Sequence, residues 1–176
     1  MRSLIFILLN VFALSSFAQT RKITPDNIVS FKIKNAGIKV DGSFSGLQGT
    51  IVFDPKNLAQ SSFDVSIKSA TVNTGIEARD THLKKEEYFN AVNYPTINFR
   101  SKKIEMTSSG FVTTGTLSIK GKTKEIKIPF TFSENNGEGI FNGSFTINRL
   151  DFGVGESSWI LSDEATVVLA IKTLKP

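Results

Sequence analysis

The chain has 176 residues, no cysteine, one histidine, one tryptophan and a formal net charge of +5 at pH 7. Absent cysteine excludes a disulfide framework, a thiolate metal site, a Cys nucleophile and a lipidated N-terminal Cys. A lone histidine excludes a multi-His metal site within one chain.

Residues 1–18 predict a secretory signal peptide. Arg2 gives a positive start, Leu4 to Leu14 is apolar except for Asn10, and Ser16-Phe17-Ala18 offers small residues for cleavage after Ala18. The apolar run is shorter than the ~20 residues of a bilayer span. Residues 19–176 are expected to form one soluble, exported domain, periplasmic or secreted. Losing the leader removes Phe6, Phe12 and Phe17 and leaves twelve phenylalanines.

The remainder alternates with period two, the signature of half-buried antiparallel strands. Val29, Phe31 and Ile33 alternate with Ser30, Lys32 and Lys34, and Ile38, Val40, Gly42 and Phe44 follow. The pattern returns at Ile51-Val52-Phe53 and at Phe63, Val65 and Ile67. It breaks only between Gly75 and Asn93, where one or two short helical turns are expected in a long connection. It resumes at Ile97 and Phe99, Leu117 and Ile119, Ile126 to Phe132, Phe141 to Ile147, and Val167 to Ile171. Turn residues fall between these runs, at Asn35-Ala36-Gly37, Gly46 to Gly49, Asp54-Pro55, Lys120-Gly121-Lys122 and Asn135-Asn136-Gly137. Pro129, at an outward position, predicts an edge, a bulge or a strand start.

About eight one-sided strands and one short helical segment predict a sheet that packs on a second sheet or closes on itself. A closed barrel of eight strands is either filled by side chains or holds an apolar ligand, and composition leaves both open. The sequence pI near 9.5 comes from lysines spread singly along the strands. That spread describes a solvated strand face, not a nucleic-acid site. A modest attraction to an anionic lipid surface stays open.

Arg79-Asp80-Thr81-His82-Leu83 is the densest cluster with chemistry. Arg79 can meet a phosphate or carboxylate with its planar fork, and Asp80 can orient Arg79 or His82. The plainer alternative is that Asp80 and His82 cap helical turns and Arg79 pairs with Asp80. No G-x-S-x-G elbow is present, and the neighbouring carboxylates Glu86-Glu87 and Asp163-Glu164 diverge on a helix or strand. No catalytic residue, metal or cofactor is assigned. Trp159-Ile160-Leu161, after a glycine-rich loop, predicts a buried plug, a cavity lip or ordinary core.

Several blocks together resemble the YceI-like lipid/polyisoprenoid-binding family. They are Val29-Ser30-Phe31, Gly42 to Leu47, Ser69 to Gly75 with Arg79 to Leu83, and Glu87-Tyr88-Phe89-Asn90. Tyr94 to Phe99, Gly115 to Gly121 and Ile147-Asn148-Arg149-Leu150-Asp151-Phe152-Gly153 complete the set. Where many members carry a histidine near the first strand, this chain has Asn27-Ile28 and Asn35-Ala36. The resemblance implies an all-β fold, an extended antiparallel eight-stranded lipocalin-like barrel. It implies an apolar tunnel for an isoprenoid or other long-chain amphiphile, as carrier, storage or scavenger. The expected apolar lining is Phe31, Phe53, Ile67, Phe99, Leu117, Phe130, Phe145 and Trp159. Carried over, Arg79, Asp80 and His82 stand near the polar end of the ligand. A structural or partner-binding barrel with a filled core is the alternative, and a lipid hydrolase or isomerase is a third reading. Oligomeric state is left open, a dimer included.

Overall fold

The computed structural model describes residues 19–175; the leader expected over residues 1–18 and its cleavage after Ala18 lie outside them. Ten strands follow in order: β1 Thr20–Ile23, β2 Ile28–Asn35, β3 Ile38–Ser45, β4 Gln48–Val52, β5 Ser62–Lys68, β6 Thr96–Thr107, β7 Gly110–Ile119, β8 Lys122–Asn135, β9 Glu138–Asn148 and β10 Leu161–Leu174. One helix, α1 (Glu77–Leu83), and short 3-10 turns at Leu58–Gln60, Ser69–Thr71 and Arg149–Phe152 complete the set.

Eight strands close a ring, β1-β4-β5-β6-β7-β8-β9-β10, through the pairing of β10 with β1. All the pairings are antiparallel, and the β2–β3 hairpin branches from β10 through β2. This is the eight-stranded barrel that the family resemblance implies, and one of the two solutions that the alternation leaves open. The strand count is higher because two long strands are each broken in two. β1 and β2 lie end to end along β10, with Ile23 opposite Thr173 and Val29 opposite Leu169.

Asn27 mends that break. Its amide donates to the Lys172 carbonyl at 2.9 Å, and its side-chain oxygen accepts from the Lys172 N–H at 2.7 Å. A buried side chain thus replaces one backbone rung.

The hairpins follow from their turns. Ala36-Gly37, Lys120-Gly121 and Asn136-Gly137 all have two successive positive φ angles, which matches the right-handed twist of paired strands. Pro129 lies inside β8 opposite Val112, just before the β8–β9 ladder begins at Phe130↔Gly143. Its missing N–H therefore leaves no β9 rung unmade. Beyond that point β9 parts from β8, and the Arg149–Phe152 turn folds between β8 and β10 with Phe152 buried.

A second opening lies between β3 and β5. There the wall is made by the segment after β5. It is joined to β3 by the Ser43–Asn73 bridge and by Thr71 Oγ1, which meets both backbone groups of Ser45.

The barrel interior divides along its length. One half is solid. Phe53 sits at its centre, with the rings of Phe63, Phe111, Phe130, Phe132 and Phe141 at 4.9–6.0 Å, mostly edge-on. Such aromatic pairs each add about 0.5–1.5 kcal/mol beyond area burial. The buried Arg21 guanidinium closes this end. It donates to Thr173 Oγ1 at 2.8 Å and to Glu134 Oε2 at 2.7 Å, and it lies 5.1 Å from the Phe132 ring centre. Gly139 leaves the room Arg21 occupies, since a Cβ there would stand 2.4 Å from Nη2.

Candidate functional site

The other half of the barrel encloses a chamber of about 420 Å³, partly open to solvent. That is within the ~300–1,000 Å³ of small-molecule pockets. Its walls come from β2, β3, β5 to β10, α1 and the Arg149–Phe152 turn, and are overwhelmingly apolar. The Phe53 cluster blocks the barrel beyond it, so the interior is a blind chamber and not a through tunnel.

Five of the eight residues expected to line a cavity meet here: Phe31, Ile67, Phe99, Leu117 and Phe145. Phe31 reaches in because its strand partner is Gly42, whose missing Cβ would stand 2.2 Å from the Phe31 ring. Phe44 supports Phe31 at 5.6 Å and meets Phe89 edge-on at 5.2 Å.

The remaining three lie elsewhere. Phe53 and Phe130 point inward as expected, but at the height of the solid half, where other phenylalanines fill the space. Trp159 is fully exposed. Burial as a plug or as core fails for Trp159 because it stands on a loop, where no alternation dictates facing; Leu161 of the same block does line the chamber.

The polar cluster also splits. Arg79 and His82 line the chamber, together with Thr74 and Tyr88. Arg79 donates from Nε to Thr74 Oγ1 at 2.7 Å and from Nη2 to the Thr74 carbonyl at 2.9 Å. Its half-buried guanidinium is thus oriented by one residue of the same connection. His82 stays exposed and meets the Tyr88 ring edge-on at 5.1 Å. Asp80 does not line the chamber. Its carboxylate is committed to Thr74, so it shapes the connection and does not face the cavity.

Arg149, which sequence reasoning did not select as a site residue, also borders the chamber. It is buried and donates to the carbonyls of Val154, Glu156, Leu161 and Ser162 and to Asp163 Oδ1. Five donors in a rigid fork suit such scattered acceptors. The loop it organises is fastened to the connection after α1, where Gly155 N–H donates to the Glu87 carbonyl, and to the β7–β8 turn, where Lys120 Nζ donates to the Gly153 carbonyl. Among the described residues no group of three or more His, Cys, Asp or Glu could hold a metal ion.

Known proteins share this architecture. The family model of the YceI-like domain matches residues 22–173. A UPF0312 protein of Photorhabdus laumondii is 30% identical over 157 residues, covering 84% of this chain and 80% of its own. A UPF0312 protein of Pseudomonas savastanoi pv. phaseolicola is 34% identical over 137 residues, covering 72% and 70%. Burkholderia cenocepacia BcnA superposes with a TM-score of 0.80 at 27% identity, over 86% of this chain and 99% of its own. The Campylobacter jejuni YceI protein gives 0.70 at 31%, over 78% and 85%. A polyisoprenoid binding domain from Saccharophagus degradans gives 0.68 at 14%, over 91% and 99%, a likeness of fold alone. The match runs from the third residue of β1 to the penultimate residue of β10, and the barrel it spans superposes on solved relatives: the chain belongs to the YceI-like domain family.

Proposed function

We propose that this protein binds an isoprenoid or other long-chain amphiphilic lipid in the chamber and works as an exported carrier, store or scavenger. The observation behind this reading is the blind apolar chamber with four of its polar lining residues, Thr74, Arg79, His82 and Tyr88, on one connection. The polyisoprenoid binding of the Saccharophagus neighbour is consistent with it. A wholly filled core, the alternative, describes only the Phe53 half of the barrel. Each methylene withdrawn from water contributes about 0.8 kcal/mol. Arg79 and His82 stand where a phosphate, carboxylate or other polar head group would be received. No residue is assigned a catalytic role.

The test is native mass spectrometry of protein purified from its own source, followed by titration with prenyl lipids. Co-purified or added lipid at one per chain is expected. Consistent absence of both sinks the reading. N-terminal sequencing of the same material tests export, with Gln19 the expected first residue.

A further inference from the structure

Three large apolar side chains stand in solvent around one end of the β2–β3 hairpin. Trp159 is fully exposed, Ile38 is 71% exposed and Ile160 is 61% exposed. Backbone pairing brings them to the same tip. The Ile160 carbonyl accepts from the Ala36 N–H at 2.7 Å, at the hairpin turn. Ile38 pairs with Asn35, and Asn35 pairs on its other side with Leu161. Asn35 and Leu161 both line the chamber. The apolar lining therefore runs to the hairpin tip, and the exposed residues stand immediately outside it. A single exposed apolar residue is ordinary, but a contiguous group beside a ligand chamber marks an interaction surface.

Charge indicates the occupant. Lys34 and Lys39 face each other directly across the hairpin, on its outer face, and neither forms an ion pair among the described residues. Directly opposed like charges destabilise a strand pair unless an anion stands near. The next pair back, Lys32 and Asp41, is compensated at 4.0 Å. Glu156 is the exposed acid on the same loop as Trp159. An indole with neighbouring aliphatic side chains, flanked by lysines, suits the boundary between acyl chains and anionic head groups.

We propose that Ile38, Trp159 and Ile160, with Lys34 and Lys39, form a tip that docks on an anionic phospholipid surface and sets the rim of the chamber against the membrane. This rests on the lipid-binding reading and supplies the step at which such a ligand leaves or enters a bilayer.

The lone tryptophan makes the test direct. Vesicles of phosphatidylglycerol mixed with phosphatidylcholine are added to the purified protein, and Trp159 emission is followed. A blue shift is expected, with quenching by brominated acyl chains, at least ten-fold weaker with phosphatidylcholine alone. Co-sedimentation of the Ile38→Ser, Trp159→Ser, Ile160→Ser triple variant is expected to fall at least ten-fold. Its binding of prenyl lipid in detergent solution is expected to persist. The Lys34→Glu, Lys39→Glu variant is expected to lose the preference for anionic vesicles. Unchanged emission with every vesicle, while prenyl lipid still binds in detergent, overturns the docking tip and leaves the carrier reading standing. A blue shift that tracks protein concentration without vesicles overturns it in favour of a second copy of this chain. Loss of prenyl lipid binding in the native protein overturns the carrier reading instead.

Discussion

The Asp80 carboxylate accepts two hydrogen bonds from Thr74, from its N–H at 2.8 Å and from its hydroxyl at 2.5 Å. Arg79 grips the same threonine from its other side. One residue thereby ties the start of the long connection to α1, and fixes the guanidinium that lines the chamber. Asp80→Ala is expected to cost about 2 kcal/mol, the range of hydrogen bonds to a charged group. It is also expected to weaken prenyl lipid binding, although Asp80 does not line the chamber. Asp80→Asn, which keeps one acceptor oxygen, is expected to recover part of both losses. Denaturant titration and lipid titration of the two variants check this.

The two halves of the barrel interior are expected to respond differently to truncation. Phe53→Ala removes the hub of five ring contacts in a region with no room to collapse. A loss of about 4 kcal/mol is expected, within the range for buried phenylalanine. Phe31→Ala removes a ring that borders the open space of the chamber. It is expected to cost less than about 2 kcal/mol and to reduce lipid affinity at least ten-fold. Equal losses of stability for the two variants would contradict the division into a solid and a hollow half.

Acid sensitivity is expected to come from the closed end. The Lys175 hydrogen bond holds the Glu134 carboxyl below its ordinary value of 4.5; partial burial opposes this, and the Arg21 hydrogen bond adds to it. A depressed native pKa stabilises the fold above the unfolded value and is lost as pH falls through the native value. Wild-type stability is therefore expected to decline from about pH 4.5 downward. Glu134→Gln is expected to remove that part of the slope. At pH 7 it is expected to be less stable by about 2 kcal/mol, because it weakens the hydrogen bonding of a buried arginine. Thermal melts from pH 3 to pH 8 compare the two.

Asn27→Ala removes the acceptor of the Lys172 N–H and one of the donors to its carbonyl, which keeps only the longer bonds from Thr24. A cost of about 2 kcal/mol is expected. Hydrogen exchange at the Lys172 amide is expected to accelerate more than at its neighbours on the β9 side of β10. A uniform change along β10 would indicate a general loss of stability instead.

The alternation of apolar residues made the barrel legible, since it states which side chains point inward. It cannot state how far along the barrel axis each one lies. Phe53 and Phe99 have the same inward character, yet one belongs to the solid half and the other to the chamber. That difference depends on register and strand tilt, which pairing across the ring creates. Arg149 escaped notice for a related reason. Four of its five acceptor residues contribute backbone carbonyls, which every sequence supplies and none advertises. Trp159 misled because size and apolarity argue for burial only where an element fixes the facing. Asp80 was found as a residue but not as a direction, because a carboxylate in a connection has local backbone donors to compete for it.

The seam between β3 and β5 has a kinetic meaning. Along most of the ring the wall is a backbone ladder, but here the Ser43–Asn73 bridge and the Thr71 hydroxyl hold two segments together. Opening this seam breaks few hydrogen bonds and leaves the eight-strand ring intact. Segments with sparse bonding open at free energies far below global unfolding. Exchange of the Ser43 and Asn73 amides is therefore expected to outpace that of the ring strands, and bound lipid is expected to slow it. Such a result would give the chamber a flap whose motion is separable from the folding of the barrel that contains it.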